Sequence, residues 1–351
     1  MSFPRRDRTM WQRQRVSEMD SRPKPKPHSV FVFEQVDPTE ESLDWLEAQG
    51  MAVKRGRAMW KRGFRRYSED EIIEAARGFD GLMGASGARF SRRVLEALPT
   101  LKCISKFGIG VDSIDVQAAT ELGILVSNTG GDLQITPVSE HTVAMMLALC
   151  KRLNVWTPQF MREGGWRADT YGSIITGSTI GIVGFGRIGR GVAERLAGWG
   201  VNIIAYDPFA KDIPASVTPV DLKTLLSSSD VITLHATPTK DNFQMINEAA
   251  FAQMKSSAVL VNTGRAALVD YAALRRALST GQIAGAALDV FDLEPPLVTD
   301  PLFSMSNVIV SPHVAAWTHK GAQNMGIQGS RNLHAMLTGR GQASVVNAQP
   351  R

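Results

Sequence analysis

The stretch Gly184-Phe185-Gly186-Arg187-Ile188-Gly189 sets the pattern G-x-G-x-x-G between an apolar run and a helix-patterned segment. Each glycine meets a need of dinucleotide binding: a tight turn at Gly184, close approach of a pyrophosphate at Gly186, and close helix-on-strand packing at Gly189. Thr179 to Val183 reads as a buried strand, and Arg187 to Ala197 as a helix whose first N–H groups face the phosphates. Trp199-Gly200 ends that helix, Val201 to Tyr206 forms the next strand, and Asp207 follows, 18 positions beyond Gly189. A carboxylate there accepts bonds from both ribose hydroxyls and repels a 2′-phosphate, which favours NAD over NADP.

Three later strand ends carry reactive side chains. Arg265 follows Leu260-Val261-Asn262-Thr263-Gly264, and its planar fork can grip a carboxylate in two parallel bonds. Glu294 follows Leu288-Asp289-Val290-Phe291 and is stiffened by Pro295-Pro296, and His313 follows Val308-Ile309-Val310-Ser311-Pro312. An imidazole and a carboxylate at adjacent crossings of one cleft form a coupled acid/base, in which Glu294 favours the protonated ring and fixes its tautomer. Reduction of a ketone leaves an alkoxide that needs a proton, and a positioned donor such as His313 is worth roughly 10²- to 10⁴-fold. Alone, Arg265 also reads as a surface residue, Glu294 as a solvated acid and His313 as a structural histidine. The catalytic reading comes from their joint placement after parallel strands with the glycine turn.

Such residues need a scaffold. From Ser29 the chain reads strand (Val30 to Phe33), helix (Thr39 to Gln49), a basic loop, helix (Glu69 to Ala76), strand (Gly81 to Met83), helix (Ser91 to Leu98) and strand (Leu101 to Ser105). This is a small α/β unit without a phosphate loop. A helix follows with Thr136 at its N-cap, Pro137 first and Glu140 in the first turn. Val143 to Leu149 is apolar all round, which predicts cover on both sides, by its own domain and by a second subunit; an internal helix of a monomer is the alternative. Val231 to Leu234, Ala258 to Val261, Ile283 to Leu288 and Val308 to Val310 then alternate with helical segments, including Glu248 to Lys255 and Asp270 to Thr280. A helix near Thr318 returns the chain to the first domain. The expected fold is α/β: a doubly wound parallel Rossmann sheet, residues 128–315, inserted in a smaller flavodoxin-like α/β substrate domain, residues 29–127 plus 316–345.

Length and composition agree with two domains, since 351 residues at 44% hydrophobic content can fill two cores. Cys103 and Cys150 sit in apolar runs, too few for a disulfide framework and without metal-ligand spacing, which fits a reducing cytoplasm. The apolar run Val143 to Cys150 falls far short of the roughly 20 residues that span a bilayer, so no membrane helix is expected. The net charge of +5 resides in residues 1–28, with eight bases against three acids, leaving a neutral body and no case for nucleic acid. This tail ends in Pro23-Lys24-Pro25-Lys26-Pro27, reads as disordered, includes His28, and lacks the apolar region of a secretory signal. The run Lys54, Arg55, Arg57, Lys61, Arg62, Arg65, Arg66, interleaved with Trp60, Phe64 and Tyr67, reads as a solvated loop, or else as an attractor for a phosphorylated substrate. His141, His235, His319 and His334 are scattered without ligand spacing, so no metal is expected.

With these motifs the chain resembles the D-isomer-specific 2-hydroxyacid dehydrogenases. The likeness runs from about Val30 to about Gly339 and rests on Gly181 to Gly189, Val261-Asn262-Thr263-Gly264-Arg265, Asp289-Val290-Phe291 with Glu294-Pro295, and Ser311-Pro312-His313. The spacings of 29 residues from Arg265 to Glu294 and 19 from Glu294 to His313 fit the family. The resemblance implies an NAD-dependent enzyme acting on a 2-hydroxy or 2-keto acid. Arg265 would polarise the keto group and hold the carboxylate, His313 would be the acid/base, and Glu294 would tune it. It assigns cofactor contacts to the glycine turn, Asp207, Thr263, Gly264, Asp289 and the stretch from His313 through Ala315 and Ala316. His235, Ala236 and Thr237 are placed on the adenine side. Substrate loops fall at Ser86-Gly87-Ala88 and at Lys106 to Asp112, including Gly108 and Ile109, while Lys106 and Trp317 either set the substrate or pack. The family carries an amide at the Glu294 position in formate dehydrogenases, which argues against formate. The resemblance also implies a homodimer through the Val143 helix. A rival reading, an NAD-sensing corepressor-type binding protein on this fold, stays open.

Overall fold

The computed structural model describes residues 26–84, 88–166 and 171–347. The tail up to residue 25, and Ser86 and Gly87 of the expected substrate loop, lie outside the described residues. The chain divides into two compact units, one running to Thr129 and resuming at Gly326, the other comprising Gly130–Met325.

The first unit contains β1 (Ser29–Gln35), α1 (Glu41–Ala48), β2 (Ala52–Ala58), α2 (Glu69–Ala76), β3 (Gly81–Gly84), α3 (Arg92–Glu96), β4 (Cys103–Lys106), α4 (Val116–Glu121) and β5 (Leu125–Asn128). Its parallel sheet runs β2-β1-β3-β4-β5, the flavodoxin-like order. Alternation along the strands sends Phe31, Phe33, Leu82, Ile104 and Val126 into one buried layer with Ile72, Val94, Leu95 and Ala118 from the helices. Each such side chain contributes roughly 1.5–3 kcal/mol by leaving water. Residues after the last helix cover the β5 edge, with Val346 N–H on Val126 O at 2.8 Å.

The basic run is not a loop throughout. Lys54, Arg55 and Arg57 lie on β2, an edge strand in register with β1 from Ser29↔Ala52 to Gln35↔Ala58. Sequence alone hides this strand because its bases read as a run of like charge, and the acids that neutralise them reach it only when the flanking helices pack against the sheet. Arg55 reaches Glu40, Asp44 and Glu47; Arg57 bonds Glu71 and stacks 3.8 Å from the Tyr67 ring; Arg65 also meets Glu71. Charged edge strands resist pairing with other chains. His28, expected in the tail, already accepts Ala52 N–H at 2.9 Å and so belongs to the sheet.

In the second unit a 3₁₀ turn at Asp132–Gln134 leads into α5 (Ile135–Cys150), followed by α6 (Pro158–Arg162), β6 (Thr179–Val183), α7 (Arg187–Leu196), β7 (Asn202–Tyr206), β8 (Val217–Pro219), α8 (Leu222–Ser228), β9 (Val231–Leu234), α9 (Glu248–Phe251), β10 (Val259–Asn262), α10 (Tyr271–Ser279), β11 (Gly285–Leu288) and β12 (Val308–Val310). The long α11 (His319–Thr338) begins here and ends in the first unit. The parallel sheet runs β12-β11-β10-β9-β6-β7-β8, so the chain reverses direction across the sheet between β6 and β9. A doubly wound sheet presents its ligand edge at that switch, and the glycine turn follows β6 there. Both faces are packed, by Leu234, Leu260, Leu274 and Leu288 on one side and by Met146, Ile180, Ile182, Val192 and Val261 on the other.

Local corrections follow from tertiary contacts. Helix α5 starts at Ile135 after Gln134, because the preceding 3₁₀ turn runs straight into it, so Thr136 is inside the helix and not its cap. Within the single chain α5 buries Thr142, Val143, Met145, Met146, Leu149 and Cys150 and leaves Ala144 exposed. Helix α9 stops at Phe251, short of Lys255. The short elements α4, β5, α6, β8 and α8 carry too few residues for a periodic signal. Among the described residues no helix is long and apolar enough to cross a membrane, and no cluster of three metal-ligating side chains forms. Cys103 and Cys150 are free and buried, and burial pushes the Cys103 thiol up to about 12.

Candidate active site

The glycine turn takes its shape from contacts that exclude side chains. Gly184 adopts φ 89°, and a Cβ there would lie 2.3 Å from Ala236 N. At Gly189 a Cβ would lie 2.3 Å from Gly184 O, so α7 could not approach β6. By contrast, a Cβ at Gly186 would meet nothing within 4 Å. The second glycine therefore borders open space in front of the α7 N-terminus, where N–H groups and the helix dipole favour an anion. These residues fit a dinucleotide pyrophosphate.

Asp207 ends β7 and turns its carboxylate to the backbone, accepting Phe185 N–H and Phe209 N–H, each at 2.8 Å. It thus ties the second strand end to the glycine turn, and each oxygen keeps a lone pair for a ligand hydroxyl. His235 directly follows β9: burial pushes its imidazole down to about 3, which keeps the ring neutral, and Nε2 pairs with Thr233 Oγ1 at 2.9 Å. Its N–H meets Val183 O at 2.7 Å, which puts Ala236 and Thr237 beside the turn.

β10, β11 and β12 are neighbours in the sheet, so Arg265, Glu294 and His313 follow three adjacent strands. Asn262 shapes the first of these ends: its Oδ1 accepts Gly264 N–H and its Nδ2 donates to Arg265 O, both at 3.1 Å. Arg265 Nη1 donates to Gly264 O at 2.8 Å, curling the guanidinium back over the strand end. Thr263 is buried and its hydroxyl meets Thr142 of α5 at 2.7 Å. Beyond β11, Glu294 uses both oxygens, accepting Phe291 N–H on Oε1 at 3.1 Å and facing His313 Nδ1 from Oε2 at 2.8 Å. That bond orients the ring and turns Nε2 away from the loop. Tyr271 donates to Val290 O, and Arg275 binds Asp292 and Asp300, so the loop carrying Glu294 is braced from α10.

His313 has φ 55°, left-handed for a residue with a side chain. Such backbone costs of order 1–3 kcal/mol and persists only where its surroundings impose it. Asp289 imposes it here. Its carbonyl accepts His313 N–H at 2.8 Å, and its buried carboxylate accepts Ser311 Oγ, Val314 N–H and Ala315 N–H at 2.6, 2.8 and 2.9 Å. Ala316 O then accepts Thr318 N–H, and Trp317 is 37% exposed.

In the first unit, Lys106 at the end of β4 is buried, its Nζ donating to Phe107 O at 3.3 Å. Gly108 has φ 91° and donates to Thr129 Oγ1 at 2.8 Å. Ile109 is exposed, with its carbonyl on Asn128 Nδ2. Sequence reasoning did not assign His141, Thr142 or Ser311, which touch the strand ends. His141 has no ligand spacing in the sequence, and the signal at this end is Ser311 lying two residues before His313.

Residues 143–315 match the family described as D-isomer specific 2-hydroxyacid dehydrogenase, NAD binding domain. A glyoxylate reductase from Thermofilum pendens is 38% identical over 291 residues, covering 80% of this chain and 85% of that protein. The chain belongs to the D-isomer-specific 2-hydroxyacid dehydrogenases. A D-3-phosphoglycerate dehydrogenase from Archaeoglobus fulgidus is 35% identical over 322 residues; the match takes in 91% of this chain but only 59% of that protein's length. The crystal structure of D-lactate dehydrogenase from Aquifex aeolicus, complexed with NAD and lactic acid, superposes with a TM-score of 0.79 at 26% identity, covering 92% of this chain and all of that one. Members of this dehydrogenase family use NAD, and the glycine turn on β6 is the part of this chain that fits it.

Proposed function

We propose that the protein reduces a 2-oxo acid to a D-2-hydroxy acid with NADH, and runs the reverse oxidation with NAD. The observation that carries this reading is the 2.8 Å contact of His313 Nδ1 with Glu294 Oε2, on strand ends adjacent to the one bearing Arg265. NAD would be held by Gly184 to Gly189 at the pyrophosphate and by Asp207 at the ribose, and when bound it supplies or accepts the hydride. Arg265 holds the substrate carboxylate through its planar fork and polarises the 2-oxo group. His313 delivers a proton from Nε2 to the carbonyl oxygen and takes it back in the reverse direction. Glu294 keeps the ring in the tautomer and orientation this needs. The named relatives, a D-3-phosphoglycerate dehydrogenase and a glyoxylate reductase, favour an enzyme over a corepressor-type binding protein. Screening glyoxylate, hydroxypyruvate, pyruvate and 3-phosphohydroxypyruvate while following NADH absorbance tests the reading. Turnover of at least one is expected; NADH binding without reduction of any 2-oxo acid would overturn it.

The same reading includes a homodimer. It is supported by exposed apolar side chains on the segment between α5 and β6, Leu153, Trp156, Met161 and Trp166, which a second copy would cover. Light scattering on the purified chain decides it. Two buried free thiols support a reducing, cytoplasmic setting.

A further inference from the structure

Consecutive residues of α5 reach two different strand ends. Thr142 Oγ1 spends its one proton on Val138 O at 2.7 Å, so in its contact with Thr263 Oγ1 the donor is Thr263. His141 Nε2 lies 2.9 Å from Ser311 Oγ, whose own proton goes to Asp289 Oδ1 at 2.6 Å. Nε2 therefore carries a hydrogen and donates to the serine. The direction of this relay excludes a nucleophilic serine, since a nucleophile passes its proton to a histidine and Ser311 passes its proton to the acid.

The relay ends on the carboxylate that also binds Val314 and Ala315 N–H, directly after the left-handed His313. The sheet supports this loop weakly. β12 has three residues, pairs with β11 alone and sits at the sheet edge. A fixed donor on Ser311 holds the hydroxyl in one rotamer, and that rotamer keeps Asp289 aimed at both backbone N–H groups. We propose that His141 is a positioning residue which, through Ser311 and Asp289, holds His313 in the orientation needed for proton transfer. Helix α5 then sets both strand ends, through His141 on Ser311, two residues before His313, and through Thr142 on Thr263, two residues before Arg265.

The inference rests on His313 as the proton donor, and its test has one arm that does not. In the full chain, His141→Leu fills the volume of the ring without a donor, whereas His141→Gln can present an amide N–H to Ser311. With the best 2-oxo acid found, the Leu variant should lose about tenfold or more in kcat, the scale of a small misplacement of a reacting group. NADH affinity should fall much less than kcat, and the Gln variant should recover most of the loss. By hydrogen–deuterium exchange, the segment around Val314 and Ala315 should exchange faster in the Leu variant only, with α10 unchanged. Wild-type kcat with unchanged protection in His141→Leu overturns the proposal. So does a Gln variant no better than Leu, or a kcat loss accompanied by an equal loss of NADH affinity and melting temperature. If the wild type reduces no 2-oxo acid, the proposed function fails while the exchange arm still decides whether His141 holds the loop.

Discussion

In the first unit, charged side chains around β2 find one another: Arg55 meets three acids of or beside α1, and Arg57 and Arg65 share Glu71 at the start of α2. In the second unit, the polar side chains at strand ends bind backbone instead. Asp207 takes two N–H groups, Asp289 two and a hydroxyl, Glu294 one and an imidazole. Both sheets are parallel α/β, so architecture does not account for the contrast. Side chains paired with side chains on an exposed surface add little beyond solubility, whereas side chains bonded to backbone impose the shape of a loop. A charge run in sequence is therefore a poor guide to a site, and an isolated acid after an apolar run a good one.

The sharpest test of this contrast is His313→Ala. It should lower kcat for 2-oxo acid reduction by roughly 10² or more, with NADH affinity from fluorescence titration unchanged. Turnover at the wild-type rate would remove the strand ends of the second unit from the chemistry.

Next in size is Asp207→Ser. Removing the charge that faces a 2′-phosphate should raise kcat/KM with NADPH relative to NADH by about tenfold, equivalent to about 1.4 kcal/mol. An unchanged ratio would leave Asp207 as a tie for the glycine turn alone.

Asp80 is an instructive exception in the first unit, since it does bind backbone. Burial works to raise its pKa but is outweighed by bonds from Ser29 N–H, Ser29 Oγ and Lys102, which bring it to about 2. A carboxyl held below its ordinary 3.8 adds stability that is fully present above that pH and is lost as pH falls toward about 2. Asp80→Asn should therefore cost roughly 2 kcal/mol in urea unfolding at neutral pH, and the gap to wild type should narrow as pH drops to about 3. A gap independent of pH would mean the carboxyl is not held in this way. The smallest effect is expected for Arg55→Ala: under about 1 kcal/mol of stability, with kcat and KM unchanged, because its partners are surface acids. A large rise in KM would return the basic run to substrate binding and erase the contrast.

Much of this was legible in the chain itself. Glycine spacing, the strand before it and the acid after the next strand identify a dinucleotide turn because only residues without a side chain fit against Ala236 N and Gly184 O. Arg265, Glu294 and His313 stand out in the sequence because each follows an apolar strand run. Strand β2 was not legible, since its bases read as a run of like charge until the acids of the flanking helices fold against them. Local sequence thus determined the parallel α/β pattern and the residues at each strand end. Only the tertiary structure decided that β10, β11 and β12 lie side by side, that His313 takes a left-handed backbone, and that His141 reaches across to Ser311. Each of these depends on contacts between segments many residues apart, whose energies no local stretch contains.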